Sequence, residues 1–316
     1  MAIVPLMKGI ATFIPGVGRL AHRRSGGTHS ARYCYSVWLR HLVMAHESGL
    51  STQPDVVAEL GPGDSLGVGL AALISGANQY FALDVMSYAS NERNLEVFDG
   101  IVELFSQRET IPDERELPSV KPYLESYEFP AYILTQSRLQ QAMGEHRIAS
   151  IRESLSQLGS GGQSTAHVAY VSDWYDFAVI EQSSIDMVFS QAVFEHVEDL
   201  RNTYEALRLW LKPGGVMSHQ IDFKSHKTAN TWDGHWTYSD FTWKLVKGTR
   251  TYLINRQPHS AHVDALEELD FDILADIKVE SAADITRSQL STRFKHLSDD
   301  DLTTSGAFIQ SVCSKD

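Results

Sequence analysis

Residues 56–73, VVAELGPGDSLGVGLAAL, constrain the fold more than any other stretch of the chain. Val56 to Leu60 is a short apolar run of the buried-strand type. Gly61, Pro62 and Gly63 turn the chain, Leu66 to Ile74 reads as a helix stopped by Gly76, and Tyr80 to Val85 reads as a second strand. Strand, glycine turn, helix, strand is how a parallel α/β sheet begins. Such a sheet is built from βαβ crossovers, and its ligands gather at the carboxyl ends of its strands.

The rest of the chain supplies more of the same pattern, with one interruption. The sequence predicts a helix over Ser30 to Glu47, with Tyr33, Val37, Leu39, Leu42, Val43 and Met44 as its apolar face and Gly49 and Pro54 beyond its end. From Ser90 to Ser164 only helical pieces are expected, Glu96 to Ser106 and Ser137 to Leu158, separated by a turn-rich stretch with Pro112, Pro118, Pro122 and Pro130. An insert of that length inside a βαβ unit is expected to cap the ligand end of the sheet. Strands then resume at His167 to Val171, Ile185 to Ser190 and Val216 to Phe223. Helices are expected over Leu200 to Leu211 and Ser260 to Leu269, and closing strands over Phe271 to Val279 and Ala307 to Cys313. The predicted organisation is an N-terminal helical cap over 1–50, a core over 51–91 and 165–316, and a helical insert or lid over 92–164.

Charge narrows the partners. The chain of 316 residues carries a formal −13. Its first fifty residues hold Lys8, Arg19, Arg23, Arg24, Arg32 and Arg40 against Glu47 alone, a net +5, so the remainder carries −18. A nucleic-acid binder held by phosphate contacts needs a basic face, so no nucleic-acid partner is expected. Cys34 and Cys313 make neither a disulfide framework nor a zinc cluster, which fits a reducing cytoplasm. No apolar run is long and uncharged enough to span a bilayer. The apolar start of the chain followed by basic residues leaves a peripheral membrane or partner contact through residues 1–24 as an option.

The chemistry starts at the glycine turn. Gly61 and Gly63 let the backbone approach a ligand, and the following helix aims free N–H groups at the same place. The dinucleotide pattern G-x-G-x-x-G would need its third glycine at 66, which is Leu66. No Gly-Lys-Ser or Gly-Lys-Thr follows, so this is no Walker loop. Glu59 would repel a pyrophosphate but attract an amino group. Asp84, closing the second strand, suits two ribose hydroxyls. Asp173, with Trp174 beside it, suits an adenine amino group and ring. An amino acid, a ribose and an adenine together describe S-adenosylmethionine.

These residues resemble the class I S-adenosylmethionine-dependent methyltransferases. Glu59-Leu60-Gly61-Pro62-Gly63 matches their first motif, with Ser65 where a third glycine is frequent, and Asp84 matches the acid after the second strand. Ser172-Asp173-Trp174 matches the adenine-contacting position. Asp186 to Ser190 with Phe194-Glu195-His196-Val197 matches the fourth-strand motif, and Leu211-Lys212-Pro213-Gly214-Gly215 the turn before the fifth strand. The resemblance implies a doubly wound, seven-stranded, mostly parallel sheet of Rossmann-like methyltransferase type with a helical insert. It implies a cofactor site of Glu59, Gly61, Pro62, Gly63, Ser65, Asp84, Val85, Ser172, Asp173, Trp174, Ser190 and Gln191.

Catalytic candidates are His219 and His196, which follow the fifth and fourth strands. Asp222, His226, Trp236 and Tyr238 are candidates for binding a small-molecule or sugar-like acceptor. The spacing of His219, Asp222 and His226 lies along a strand and a loop, so no metal site is read from it. Two alternatives stay open: an NAD(P)-dependent oxidoreductase on a related sheet, and a non-catalytic binder of S-adenosylmethionine. No motif names the acceptor, the atom methylated or the oligomeric state.

Overall fold

The structure, a computed structural model, describes residues 3–14, 27–86, 88–158, 164–172, 174 and 177–314. Its centre is a seven-stranded sheet in the order β3-β2-β1-β4-β5-β7-β6. The strands are β1 (Val56–Leu60), β2 (Gln79–Asp84), β3 (Val168–Ser172), β4 (Ile185–Gln191), β5 (Leu211–Asp222), β6 (Phe271–Glu280) and β7 (Thr304–Cys313). The first five pair in parallel, and β7 runs antiparallel between β5 and β6. The chain leaves β1 towards β2 and β3, then returns to place β4 on the other side of β1. A crevice opens where that order reverses.

Helices cover both faces. On one lie α2 (Ala31–Glu47), α3 (Gly67–Ile74), α4 (Asn91–Gln107), α5 (Gln136–Ala142) and α6 (Glu145–Gln157), which share one apolar core with Val57, Tyr80, Met187 and Phe189 of the sheet. On the other lie α7 (Leu200–Trp210) and α9 (His259–Glu268), packed on Ala58, Leu83, Val188 and Met217. Alternate residues of each strand thus serve opposite layers, as a doubly covered sheet requires.

The outer parts differ from expectation in two ways. The helix expected over Ser137 to Leu158 is broken: α5 ends at Ala142, and α6 starts after Gly144, which caps it with non-helical backbone. The apolar residues of the insert face the core, and its Lys121 carbonyl reaches the ligand end, accepting from Gln191 Nε2 at 3.3 Å. Ile111, Val120, Leu124, Ile133, Leu134, Ile151 and Leu155 are buried in the same core as α2 and α3. The expected cap helix α2 is likewise an interior element, buried from Cys34 to Ala45 between sheet and insert. Its Arg40 donates to the carbonyls of Pro112 and Pro122 and to Ser36 Oγ, and its Tyr35 hydroxyl donates to the Glu109 carbonyl. The insert therefore docks through its backbone carbonyls onto donors of α2.

The first helix, α1 (Ile3–Ala11), packs against α8 (Asp240–Lys247), with Leu6 entering the small core of Tyr238, Trp243, Val246, Leu253 and Ile254. Ile3, Val4, Met7 and Ile10 face outward. Arg19, Arg23 and Arg24, which carry most of the basic charge behind this helix, lie outside the described residues. Among the described residues no helix is long and apolar enough to cross a membrane.

Candidate active site

A cavity of about 660 Å³ opens at the crevice, on the carboxyl ends of β1, β2 and β4. Its floor is Leu60, Gly61 and Gly63 from the glycine turn, and Leu83, Asp84 and Val85 from the end of β2. Gly61 has φ +65°, and a Cβ there would stand 2.6 Å from Val193 Cγ2. The turn therefore takes only glycine at this point, which leaves its backbone open to a ligand. Trp174 and Phe177 form one wall, and Tyr88 and Tyr252 stand at the sides. The polar part of the lining is Gln191, Glu195, His196, Glu198, Asp199 and His226.

Asp84 is nearly covered. Burial pushes its carboxyl up to about 6, against the pull of the Val85, Met86 and Gly63 amides. The Val85 N–H donates to Asp84 Oδ1 at 2.7 Å. The second oxygen is thus placed for hydroxyl donors from a ligand in the cavity.

Glu195 sits on the helical turn Phe194–His196 that follows β4. Its side chain is 3% exposed, and neither carboxylate oxygen has a hydrogen bond of acceptable geometry among the described residues. Burial pushes its carboxyl up to about 8, with the amides of Glu195 and Asp222 near enough to offset part of that cost. Asp222 ends β5, and its Oδ2 meets His226 Nε2 at 3.1 Å. Burial opposes the charge of Asp222, but His226, the Lys224 ammonium and the Lys224 amide together hold it below the usual carboxylate range. His196 completes this cluster, its ring 5.3 Å from that of His226.

The structure gathers some expected site residues and disperses others. Gly61, Gly63, Asp84, Val85, Trp174, Gln191, His196 and His226 line the cavity, with Asp222 directly behind His226. Asp173 lies outside the described residues. Glu59 does not reach the cavity. It belongs to the opposite set of the β1 alternation, and its Oε2 accepts from the Tyr80 hydroxyl at 2.5 Å and the Gly69 amide at 3.2 Å. Pro62 and Ser65 are buried supports: Thr28 donates to the Pro62 carbonyl, and the Ser65 amide and hydroxyl bond Thr28 in return. Ser172, the last residue of β3, is absent from the lining.

Ser190 and His219 bond each other at 2.8 Å inside the core. His219 is 2% exposed and packed on Phe194 and Tyr204, so it is placed as a core residue and not as a base facing a substrate. Burial, with His41 and His262 nearby, drives its pKa well below the usual range. Trp236 and Tyr238 also lie in interior clusters, Trp236 with Ile285, Leu290 and Phe294, and Tyr238 with Trp243 and Val246. The aromatic stretch after β5 is thus mainly packing, and Tyr252 alone among its aromatics lines the cavity. Glu195 was legible within the fourth-strand motif, but nothing in its spacing marked it as a buried cavity acid. Tyr88 carries no motif.

Residues 143–218 match a family model described as a methyltransferase domain. The match runs from α6 through β3, β4 and α7 into β5, so the glycine turn supports the assignment separately. No curated protein matches the sequence. Similar solved structures include an S-adenosylmethionine-dependent methyltransferase from Mesorhizobium loti (15% identity, 82% of this chain and 91% of that one, TM-score 0.40). Another is such an enzyme from Methanosarcina mazei (12%, 85% and 96%, TM-score 0.44). A third is phosphoethanolamine N-methyltransferase 2 of Haemonchus contortus in complex with S-adenosylmethionine (14%, 88% and 53%, TM-score 0.43). Identities this low say nothing about the acceptor. Residues 143–218 thus match a methyltransferase domain, and the strand order and the cavity at the switch point agree with that match.

Proposed function

We propose that the chain methylates a small, hydroxyl-bearing, sugar-like acceptor that enters beside Glu195, His196 and His226. The observation that carries this reading is the polarity of the cavity. The glycine turn, Asp84 and Trp174 share its lining with a cluster of acids and imidazoles, in which Glu195, Asp222 and His226 lie together and His196 lies beside His226. A wall with Glu198 and Asp199 disfavours an anionic acceptor and offers acceptor atoms to hydroxyl donors. A volume of about 660 Å³ falls within the roughly 300–1,000 Å³ of small-ligand pockets.

The residues fit the cofactor: the Gly61 backbone leaves room for the amino-acid portion, Asp84 accepts from the ribose, and Trp174 walls the adenine. When bound, S-adenosylmethionine supplies an electrophilic methyl group on a sulfonium. The protein's part is positioning, which removes entropy from an in-line displacement. Gln191, at the end of β4, stands in the wall of the cavity, its amide donating to Gln220 Oε1 at 3.2 Å. His196 stands where a hydroxyl would lie and is the better placed of the two candidate bases.

The core spans residues 51–91 and 165–316, with 92–164 as a structural insert. Two buried free cysteines support a cytoplasmic setting, and the outward apolar side of α1 supports a peripheral contact there. The test is calorimetry with S-adenosylhomocysteine, followed by methyl transfer from labelled cofactor to polyol, phenol, amine and carboxylate panels. Labelling confined to carboxylates or amines would overturn the acceptor class.

A further inference from the structure

We infer that Glu195, Asp222 and His226 bind one divalent metal ion at the acceptor end of the cavity. One ligating atom from each of these three residues lies within 4.8 Å of the others. They reach this place from different elements: the turn after β4, the last residue of β5 and the loop beyond it. Sequence spacing concealed the set because Glu195 comes from another strand.

A second observation points to a ligand. Glu195 is buried, lines the cavity, and has neither oxygen in a hydrogen bond of acceptable geometry. A buried carboxylate without a partner is costly, and a cation is the partner that best offsets that cost. Asp222 is arranged for sharing. Its Oδ1 accepts from the Lys224 amide at 2.9 Å and faces the Lys224 ammonium at 3.4 Å, which leaves Oδ2 to His226 or an ion.

The geometry is close to that of a site. Ligands about 2.1 Å from an ion stand roughly 3.0–3.4 Å from one another. The Asp222–His226 pair is already at 3.1 Å, and Glu195 needs a side-chain adjustment to join them. Two carboxylates and an imidazole form a mixed oxygen and nitrogen set. Such a set suits Mn²⁺, Fe²⁺ or Zn²⁺ better than Ca²⁺. Three protein ligands leave positions open towards the cavity, and an ion there would bind an acceptor oxygen and lower its pKa. That role rests on the methyl-transfer reading; the binding itself does not.

The experiment uses the full chain, stripped with chelator and titrated with Mn²⁺ alone while the electron paramagnetic resonance of free Mn²⁺ is followed. The expected result is one ion per chain with a Kd below about 100 μM. Glu195→Gln and His226→Ala are each expected to weaken binding by about tenfold or more. Calorimetry with S-adenosylhomocysteine, without metal, shows that each variant is folded and tests the cofactor reading separately. A free-Mn²⁺ signal unchanged by the wild type up to millimolar metal would overturn the inference. So would equal affinity in wild type and both folded variants.

Discussion

The Tyr80 hydroxyl donates to Glu59 Oε2 at 2.5 Å directly beneath the glycine turn. This pair joins β2 to β1, and the Gly69 amide adds α3 to the same carboxylate. Glu59 thus braces strand, helix and neighbouring strand around the turn. Tyr80→Phe keeps the ring and removes the donor. It is expected to destabilise the fold by about 1–3 kcal/mol in urea unfolding, because it leaves a buried acid underpaired. Affinity for S-adenosylhomocysteine should change less than about threefold (roughly 0.6 kcal/mol). A loss of affinity without a loss of stability would put Glu59 back in the cofactor site.

The buried titratable groups set a stability optimum. Burial holds the imidazoles of His41, His235 and His262 down to about 3, and that of His219 lower than usual as well. As pH falls below about 6.5, the unfolded chain takes protons that these folded imidazoles refuse, so stability falls. Glu59 acts in the opposite direction. Burial raises its carboxyl from 4.5 to about 8, so the folded state keeps a proton that the unfolded chain has lost, and stability drops as pH rises towards about 8. Glu195, raised to about 8, and Asp84, raised to about 6, act in the same direction as Glu59. Below 6.5 four imidazoles outweigh these three carboxyls; above it the two glutamates act with little opposition. Maximum thermal stability is therefore expected at about pH 6.5–7, with a decline above it that Glu59→Gln makes shallower by up to one proton, about 1.4 kcal/mol per pH unit.

The same physics marks what the sequence shows and what it hides. The strands and the flanking helices follow from apolar periodicity and glycine punctuation, and the family motifs carry the sheet order. The glycine turn and Asp84 were legible as residues of the strand ends that line the cavity, because each must stand at a strand end for local reasons. Glu59 and His219 were misplaced because a strand sends alternate side chains to opposite faces, and the motif does not say which face meets the ligand. The length of the insert suggests a lid, while its apolar residues find their partners on α2, which the sequence pattern does not show. Trp236 and Tyr238 show that aromatic density marks packing as often as a pocket.

Asp84 offers a direct test of the cofactor end. Asp84→Ala is expected to weaken S-adenosylhomocysteine binding by about 10–100-fold, the loss of hydrogen bonds to a charged acceptor. Its carboxyl, raised to about 6, must lose its proton to accept from both hydroxyls. Wild-type affinity should therefore tighten as pH rises from about 5 to 7, and Asp84→Asn should flatten that trend. Calorimetry at several pH values decides it.

His219→Ala separates a core residue from a base. The variant leaves a cavity beside Phe194 and Tyr204 and strands the Ser190 hydroxyl. A loss of about 2–4 kcal/mol of stability is expected, with kcat of the folded fraction within about threefold of wild type. A drop in kcat of about a hundredfold with stability unchanged would mean that this imidazole reaches the substrate.

Arg40 tests how the insert is held. Its guanidinium is fully buried in α2, bonded to the Pro112 and Pro122 carbonyls and to Ser36 Oγ, and its Cζ lies 5.1 Å from the centre of the Tyr127 ring. Arg40→Ala removes those donors, leaving the Pro122 carbonyl without its guanidinium and the Pro112 carbonyl with the Ser36 hydroxyl alone, so a loss of about 2–4 kcal/mol is expected. Arg40→Lys keeps the charge but not the planar fork that reaches both carbonyls, and should recover only part of the loss. Because α2 also packs on the sheet, with His41 bonded to Ser218 at 2.6 Å, the damage should spread beyond the insert. Hydrogen exchange in Arg40→Ala is therefore expected to quicken in α2 and in the stretch from 109 to 134 together, while the strands β6 and β7 keep wild-type protection.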